Sequence, residues 1–547
     1  MRSVGLGIAF ALCFALAFPF RVGDFSIDLG WAFGWIALIP FALALRDRTP
    51  AAAFRWALLW STLALCLALF WIYVAVAVFG GAAPPQAALA VVLLAIVLAL
   101  HVAAFAALAR KLEAWAGALA FAVLPVAWVA AEQLRGVLVF GGFPWAFLGH
   151  TAHANGPMRE LAAFGGVFGL SLLMAIFASL VARRRFPQAA ALLALSHLVG
   201  FAVGLTKLGN GAESPSSVAI IQANIPQDQK LDARGENFAK HLEWSRLAAA
   251  SAEFDLMIWP EAAVLLSLEE GGARSEIQAL ARELDASLLV GGIALEPGQR
   301  GDGFDYRVFN SLYAVDRAGQ FVDRYDKSKL VPFGEYVPLR WLLDPILDAV
   351  ATSVGTITPG TGPRPLAELP SYAADAGLAP LICYEVVYPS LVRRAVQSGA
   401  RILVNVTNDA WYGRTSGPHQ FLAIAAMRSA EHGLPMLRAA NTGVSAIIDP
   451  SGRVMRRTRL FEEHALVGEV PAPRSGVTLY TRFGDWVAWL CWGLLGVLYI
   501  GSLGGIQRVR ASGSQRNSRD PGRVESARGS DPGTPEAALT STENSKR

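Results

Sequence analysis

The stretch "LICYEVVYPS", Leu381 to Ser390, ends an apolar run at a cysteine and then continues into polar residues. The segment "LAPLICYE" has the composition of a buried strand, and "SLVRRAVQSGA" after it has the composition of a helix. Cys383 therefore lies where a strand gives way to a helix, and α/β folds commonly gather their active groups at such strand ends. The sequence must then decide between a nucleophilic cysteine and a small core residue.

The same alternation of strands and helices fills the polar region around Cys383. It predicts an α/β sandwich with mixed sheets. Strands are predicted at 217–225, 254–262, 287–295, 308–316, 320–327, 378–385 and 401–409, and a hairpin at 445–458. Helices are predicted at 237–252, 274–286 and 390–400.

The rest of the chain has the composition of a membrane protein. The sequence is 54% hydrophobic and 16% charged, whereas soluble domains carry about 25% charged residues. An apolar stretch of about 20 residues can cross the hydrocarbon core as a helix. Such stretches lie at 4–20, 27–45, 57–79, 86–109, 116–134, 160–182 and 188–206, and an eighth begins at Asp485.

These segments divide the chain into four parts. Residues 1–210 are expected to form a membrane region of seven spans, residues 215–475 the polar domain, and residues 485–505 a C-terminal span. The tail from 509 to 547 is rich in Ser, Gly, Arg and Pro and is expected to be disordered. The predicted fold class is a polytopic α-helical membrane bundle joined to an α/β sandwich domain.

The basic residues near the span ends predict the orientation of the chain. Lys and Arg concentrate on the cytoplasmic side of a membrane protein. In every second loop of this sequence the basic residues cluster: Arg2, Arg46, Arg48, Arg55, Arg110, Lys111, Arg183, Arg184, Arg185, Arg508 and Arg510. With eight spans, both termini are expected in the cytoplasm and the polar domain in the periplasm of a bacterial inner membrane. An odd number of spans would reverse the position of the domain.

The charge and the cysteine content do not indicate a nucleic-acid-binding, disulfide-rich or metal-binding protein. The formal net charge is +4, which does not imply a nucleic-acid partner. Three of the four cysteines, Cys13, Cys66 and Cys491, lie in apolar segments, and the sequence contains no CxxC pair. We therefore expect no disulfide framework and no metal site.

Three reactive residues follow predicted strands of the polar domain. They are Glu261 in "IWPEA", Lys327 in "RYDKSKL" and Cys383. A thiol with a pKa of about 8.5 is mostly protonated at neutral pH, so it needs a base or a cation nearby to become a strong nucleophile. Glu261 can accept the proton, Lys327 can stabilise an oxyanion, and the N–H of Tyr384 can assist if the chain turns sharply.

Each of these residues also has an ordinary explanation. A lone cysteine after a strand is usually a core residue, and the "PEA" sequence around Glu261 is typical of a helix start. Lys327 lies in a charged stretch that can simply face water. Spacing alone leaves these alternatives open.

A resemblance to a known family separates the two interpretations. The chain resembles the carbon–nitrogen hydrolase (nitrilase) superfamily and, within it, the apolipoprotein N-acyltransferase family. The matching words are "QANIPQ" (222–227), "WPE" (259–261), "YDKSKLVPFGEYVP" (325–338), "CYE" (383–385), "NVTNDAWYG" (405–413), "RAANTG" (438–443) and "GGFPWAFLGH" (141–150). The resemblance covers nearly the whole chain except the tail, and it implies that the sandwich is a nitrilase-like αββα domain.

The resemblance implies a role for each matching residue. Glu261 matches the general base of the family, Lys327 the cation and Cys383 the nucleophile. Glu335, in "FGEY", matches a second glutamate that supports the site, and Tyr384 and Glu385 match positions that the family needs beside the cysteine. The sequence departs from the family at Leu231, where a tryptophan often follows "NIPQxxK".

The resemblance also implies a reaction and its partners. A fatty acyl chain passes from a membrane phospholipid, typically phosphatidylethanolamine, to a thioester on the cysteine. It then passes to the α-amine of the N-terminal diacylglyceryl-cysteine of an apolipoprotein, without a cofactor. The chain is expected to act as a monomer. The alternatives are a membrane-tethered nitrilase-type amidase, in which water replaces the amine, and a transporter with an external domain.

Both substrates are lipids, so apolar segments beside the motifs are expected to contact the membrane. We predict mobile arms or lids at "AAVLLSL" (262–268) and "LRWLLDPILDAVATSVG" (339–355), although both segments also fit ordinary core helices. Trp145 is expected at the membrane–water interface, which tryptophan prefers.

Overall fold

Long apolar runs of the N-terminal part form helices, and proline and capping residues set where several of them begin. The computed structural model describes residues 1–138, 140–206, 216–230, 232–269, 271–298, 306–336, 338, 357–366, 369 and 377–517, with side chains to residue 503. The helices of this part are α1 (Arg2–Leu16), α2 (Gly30–Ile36), α3 (Ile39–Leu45), α4 (Pro50–Ala68), α5 (Trp71–Val74), α6 (Pro84–Glu113), α7 (Ala120–Val137), α8 (Gly156–Ala182) and α9 (Phe186–Thr206).

Two predicted spans start at least one helical turn earlier in the structure than their apolar runs do. Helix α4 begins at Pro50 because the hydroxyl of Thr49 accepts the N–H of Ala52, and Asn155 caps α8 in the same way. Among the described residues, six helices are long and apolar enough to cross a membrane: Pro50–Ala68, Pro84–Glu113, Gly117–Val137, Gly156–Ala182, Phe186–Thr206 and Trp486–Leu503. The first two predicted spans fall on shorter apolar helices, Arg2–Leu16 and Gly30–Leu45, so the count of eight stays a prediction.

The basic loops meet at one end of the helix bundle. Arg110 donates from Nε to the carbonyl of Arg48 at 3.1 Å, and Arg183 lies 3.2 Å from the carboxylate of Glu113. The α/β domain packs against the opposite end, where Trp71 contacts Tyr412 with ring centroids 4.8 Å apart.

The polar domain contains two mixed sheets. The strands are β3 (Ser217–Gln222), β4 (Leu256–Ile258), β5 (Ser287–Pro297), β6 (Tyr306–Val315), β7 (Phe321–Asp326), β8 (Gly377–Ile382), β9 (Ala400–Thr407), β10 (Met436–Ala440), β11 (Ala446–Ile448), β12 (Val454–Arg457) and β13 (His464–Glu469), and a separate hairpin of β1 (Phe20–Val22) and β2 (Phe25–Ile27) precedes them. The first sheet has the order β13-β3-β4-β5-β6-β7 and the second β12-β11-β10-β9-β8. Strands β3, β4 and β5 are parallel, as are β8, β9 and β10.

Helices cover both outer faces of the paired sheets. They are α10 (Arg234–Ser251), α11 (Gly272–Leu284), α12 (Pro389–Gln397), α13 (Gly417–His432) and α14 (Leu479–Phe483). Helix α15 (Trp486–Asn517) follows them and begins with apolar sequence. Helices α10 and α11 pack on the first sheet, and a second apolar layer lies between the sheets. The chain therefore has the α/β sandwich that its alternating pattern predicts.

The outer face of the second sheet shares one apolar core with the membrane helices. Leu381 and Leu403 of this sheet and Phe421 of α13 belong to the same buried cluster as Phe10 and Trp128 of the bundle. Helix α13 is buried on all sides except at His419. It has no amphipathic periodicity, which is why the sequence pattern does not indicate it.

A kink in α8 receives a carboxylate from α13. Gly166 has φ +61°, and a Cβ there would lie 2.4 Å from the ring of Tyr480. The N–H of Val167, freed by this kink, donates to the carboxylate of Glu431 at 2.9 Å. Glu431 also pairs with Arg428, and both side chains are fully buried. The hydrogen bond from Val167 to this paired carboxylate thus fastens the domain to the bundle.

Gln420 of α13 joins four parts of the chain. Its carbonyl oxygen accepts the indole N–H of Trp71 at 3.2 Å and that of Trp145 at 2.7 Å. Its amide nitrogen donates to the carbonyls of Pro19 and Ala68 at 3.3 and 3.0 Å. Trp145 is only 1% exposed, so it packs in the protein core, and its predicted place at the membrane–water interface stays a prediction. The hydrogen bond to Gln420 satisfies its N–H inside the protein.

Replacing Gln420 by Leu is expected to lower the free energy of unfolding by about 3 kcal/mol, because buried polar groups would lose their partners. Thermal unfolding of the full chain in detergent measures the change. Gln320→Leu is the control, since Gln320 is exposed in a hairpin turn. Equal midpoints for the two variants would contradict the role of Gln420 at this junction.

Candidate active site

The chain turns sharply at Cys383, immediately after strand β8. Ile382 is the last residue of the strand, and a short 3₁₀ helix runs from Cys383 to Val387. Cys383 itself has φ +53°, a left-handed conformation that costs a non-glycine residue about 1–3 kcal/mol. Its side chain keeps partial access to solvent. The geometry therefore presents the sulfur at the end of a strand, at the start of a helical turn.

Glu385 holds this turn in place. Its carboxylate is fully buried and accepts the hydroxyl of Tyr325 at 2.9 Å, the N–H and hydroxyl of Ser328 at 2.7 and 2.8 Å, the N–H of Lys329 at 3.0 Å and the N–H of Ile382 at 2.8 Å. Burial raises the pKa of Glu385, while these donors act in the opposite direction. The donors come from both sides of Lys327 and from the residue before Cys383, so Glu385 aligns the lysine with the cysteine.

Lys327 lies between two carboxylates. Its Nζ is 2.7 Å from Oε1 of Glu335 and 3.4 Å from Oε1 of Glu261, and its side chain is only 1% exposed. Burial opposes the ammonium form, but Glu335 and Glu261 outweigh it and raise the pKa of Lys327. The lysine is therefore charged, and the alternative of a water-facing side chain is wrong.

Glu261 follows strand β4 and enters the same cluster. Its Oε1 accepts the side-chain N–H of Asn310 at 2.8 Å, and its Oε2 accepts the backbone N–H of Asn408 at 2.8 Å. Burial would raise its pKa, but Lys327 and these hydrogen bonds lower it. The next helix begins only at Gly272, so Glu261 is not a helix cap. It is a buried carboxylate, ionised at rest.

Electrostatics keep the thiol of Cys383 neutral at rest. Burial and the negative charge of Glu261 raise its pKa, whereas the ammonium of Lys327 and the side chain of Thr407 lower it. The net direction is upward. The site thus holds a thiol beside a carboxylate that can take its proton, with an ammonium that can stabilise the resulting negative charge.

The structure brings five predicted site residues together, and it places the sixth differently. Glu261, Lys327 and Glu335 form one charged cluster next to Cys383, and Glu385 lies behind the turn. Tyr384 instead points to the bundle. Its ring stacks on Trp145 with centroids 6.0 Å apart and planes at 8°, so it connects the catalytic turn to the "GGFPW" loop.

Several polar residues of the site were not singled out from the sequence. Asn310, in the middle of β6, donates to Glu261 and, at 3.4 Å, to Glu335. Lys230 is buried and donates to the carbonyl of Glu261 at 3.2 Å. Asn310 carries no local signal, since a strand interior rarely holds a functional side chain. Lys230 belongs to the motif "NIPQxxK", which by itself does not indicate a residue of the site.

The motifs "NVTND" and "RAANTG" build a buried network behind the cysteine. Asn405 donates to the carbonyls of Leu381 and Cys383 at 2.8 and 3.3 Å. Arg438 donates to Asn405 and pairs with Asp409 at 2.8 Å. This network fixes the backbone on both sides of the turn.

The first predicted arm packs mostly as core. Val264 and Leu268 are fully buried, and Val264 pairs with Gly292 at the edge of β5. Its neighbours Leu265 and Leu266 are half-buried. The second predicted arm, 339–355, and Leu231 lie outside the described residues. Within the described ranges, no group of three or more His, Cys, Asp or Glu side chains could hold a metal ion.

The N-terminal region and the polar domain of the chain each match the model of a known protein family. Residues 217–478 match the family model of the carbon–nitrogen hydrolases, and residues 10–180 match that of the apolipoprotein N-acyltransferase N-terminal domain. Proteins named apolipoprotein N-acyltransferase are similar over most of their length. The protein of Geobacter metallireducens is 37% identical, over 84% of this chain and 88% of that protein. The protein of Methylococcus capsulatus is 34% identical over 90% and 96%, and that of Pseudomonas aeruginosa 35% over 86% and 94%.

The side chain of Thr407 gives a testable pH dependence. Its hydroxyl, which donates to Asp409 at 2.8 Å, lowers the pKa of the nearby thiol of Cys383, so Thr407→Val should raise that pKa and leave less thiolate at any given pH. We expect iodoacetamide to label Cys383 about three- to tenfold more slowly at neutral pH, a loss of about 1 kcal/mol. Site-resolved mass spectrometry across pH 7 to 10 should show the profile moved to higher pH.

Thr442→Val is the matched control for this experiment. Thr442 is buried to the same degree, but in the part of the chain that the structure describes its hydroxyl has no hydrogen-bond partner. This variant should label Cys383 at the wild-type rate. An unchanged profile in Thr407→Val would show that the hydroxyl does not act on the sulfur.

Proposed function

The chain belongs to the apolipoprotein N-acyltransferase family and is an acyltransferase that N-acylates lipoproteins; we propose that Cys383 carries the acyl chain between donor and acceptor as a thioester. The observation that carries this proposal is the buried cluster beside the sulfur. Lys327 lies 3.4 Å from Glu261 and 2.7 Å from Glu335, and both Glu261 and Lys327 act on the thiol's pKa.

The first half-reaction acylates the enzyme. The sulfur of Cys383 attacks the ester carbonyl carbon of a phospholipid, typically at the sn-1 chain of phosphatidylethanolamine, as Glu261 takes the thiol proton. Lys327 and the N–H of Tyr384 stabilise the oxyanion of the tetrahedral intermediate. The bond between carbon and the glycerol oxygen then breaks, and Glu261 returns its proton to that oxygen. A thioester remains on Cys383, and lysophospholipid leaves.

The second half-reaction transfers the chain to protein. The α-amine of the N-terminal diacylglyceryl-cysteine attacks the thioester carbonyl, and Glu261 takes a proton from the attacking nitrogen. The bond between carbon and sulfur breaks, an amide forms, and Glu261 returns the proton to Cys383. The lowered pKa of Glu261 supports this cycle, because a general base must be unprotonated when each nucleophile arrives.

The position of the site suits lipid substrates. Each buried CH₂ of an acyl chain contributes about 0.8 kcal/mol to membrane affinity, so neither substrate can leave the bilayer for a distant pocket. The contact between Tyr384 and Trp145 joins the residue after the nucleophile to the loop that follows α7. The reacting carbonyl can therefore stay close to the membrane surface.

We place the domain on the periplasmic face of the bacterial inner membrane. The basic loops around Arg48, Arg110 and Arg183 lie together at the end of the bundle away from the domain, and basic loops favour the cytoplasm. With the eight predicted spans, the domain then faces the periplasm, where the N-termini of lipoproteins are exposed.

Cys383→Ala should abolish the acyl-enzyme, and Cys383→Ser should nearly abolish it, because a serine hydroxyl is far less acidic than a thiol. Mass spectrometry of the purified full-length protein, incubated with phosphatidylethanolamine, measures a hydroxylamine-labile fatty acyl group at Cys383. Cys491→Ala, which removes a cysteine in α15, is the control and should acylate normally. An acyl group on another residue would refute the assignment.

Glu261→Gln should slow both half-reactions by about 100-fold or more, because general acid–base catalysis contributes 10²–10⁴-fold. Single-turnover acylation by phospholipid and deacylation by a diacylated peptide measure the two steps separately. Water in place of the peptide distinguishes transfer from the amidase-like hydrolysis considered above. Wild-type rates in both steps would remove Glu261 as the base.

A further inference from the structure

Large apolar side chains are exposed where the bundle meets the domain near the catalytic turn. Val137, Leu138 and Phe140, at the end of α7 and in the loop after it, are 56%, 49% and 40% exposed. Phe333 of the domain is 49% exposed and meets Phe140 edge to face, with centroids 5.9 Å apart. We call these four residues the rim patch. Exposed apolar patches of this kind mark binding surfaces.

The side chain of Lys329 lies beside the rim patch. The Nζ of Lys329 is 5.0 Å from the centroid of the Tyr388 ring, and among the described residues no carboxylate pairs with it. Gly141 has φ +89°, a backbone conformation that favours glycine, and the Nζ of Lys329 lies against its Cα. A partly buried ammonium over an aromatic ring is poised to receive an anion.

The backbone of Lys329 is held in register with the nucleophile. Its N–H donates to Glu385 at 3.0 Å, and the same carboxylate accepts the N–H of Ile382, the residue before Cys383. Lys329 also follows the catalytic Lys327 by two residues. An anion bound by Lys329 would therefore stand at a set position relative to the sulfur.

We propose that Lys329 binds the phosphate of the donor phospholipid while the rim patch holds the adjoining part of its acyl chains. This inference rests on the proposed function and adds the feature by which the donor is recognised. A cation beside an exposed apolar surface complements a phosphodiester attached to acyl chains. Every glycerophospholipid carries that phosphate, so the site favours donors that carry it over diacylglycerol, which has the same esters without it and reacts only at higher concentration.

The test compares two acyl donors on the full-length enzyme in mixed detergent micelles. Acylation of Cys383 is followed at increasing concentrations of phosphatidylethanolamine or of diacylglycerol with identical chains. Lys329→Gln should raise the half-saturating concentration of phosphatidylethanolamine about tenfold, the loss of one charge-assisted hydrogen bond, with little change in the maximal rate. Acylation by diacylglycerol should be unchanged, which also shows that the variant is folded.

Two further variants test whether the effect depends on the positive charge at position 329. Lys329→Arg keeps the positive charge and should restore the half-saturating concentration to within about threefold of wild type. Arg401→Gln removes an exposed cation at the start of β9 and should change nothing. An equal effect of Lys329→Gln on both donors, or no effect on either, would overturn the proposal. So would inhibition of the wild type by millimolar inorganic phosphate that Lys329→Gln removes without changing the half-saturating concentration of phosphatidylethanolamine, which would indicate a site for free phosphate only.

The outcomes distinguish a failure of the proposed phosphate site from a failure of the proposed acyl transfer through Cys383. Absence of any acyl group on Cys383 of the wild type, with either donor, would refute the proposed function. Normal acylation that does not depend on Lys329 would refute only the phosphate site.

Discussion

The ammonium of Lys327 is buried between the carboxylates of Glu335 and Glu261, and this charge arrangement constrains the rest of the site. A buried charge that loses its partner costs several kcal/mol, so none of the three groups can move alone. Glu261 comes from the end of β4, Lys327 from the end of β7, and Glu335 from the following loop. Asn310 of β6 bridges the two glutamates. The charges thereby hold three segments of the first sheet around one point.

The second sheet contributes the sulfur, and the buried carboxylate of Glu385 aligns it with the charges. Glu385 relies on N–H and O–H donors from the loop of Lys327 and from the end of β8. This carboxylate therefore couples the two sheets at the site. The left-handed backbone of Cys383 persists because the surrounding hydrogen bonds determine it, as expected where strain serves function.

The link to the membrane follows from packing rather than from a flexible tether. Tyr384 stacks on Trp145, Trp145 donates to Gln420, and Gln420 binds carbonyls at the ends of two membrane helices. The outer face of the second sheet belongs to the same apolar core as the bundle. A catalytic domain joined in this way keeps Cys383 at a constant distance from the bundle, which suits the proposed substrates, since both are anchored by acyl chains.

The amino-acid sequence predicts the apolar helices, the α/β sandwich and the strand ends at which Glu261, Lys327 and Cys383 lie, because hydrophobic period and turn residues are local signals. The resemblance of its motifs adds Glu335, Tyr384 and Glu385. Tertiary structure alone decided that Trp145 is buried, that α13 is a central helix and that Asn310, Thr407 and Lys230 join the site. These features depend on contacts between residues far apart in the chain. A helix that is buried on all sides also shows no amphipathic pattern, which is the signal used to predict a helix from sequence.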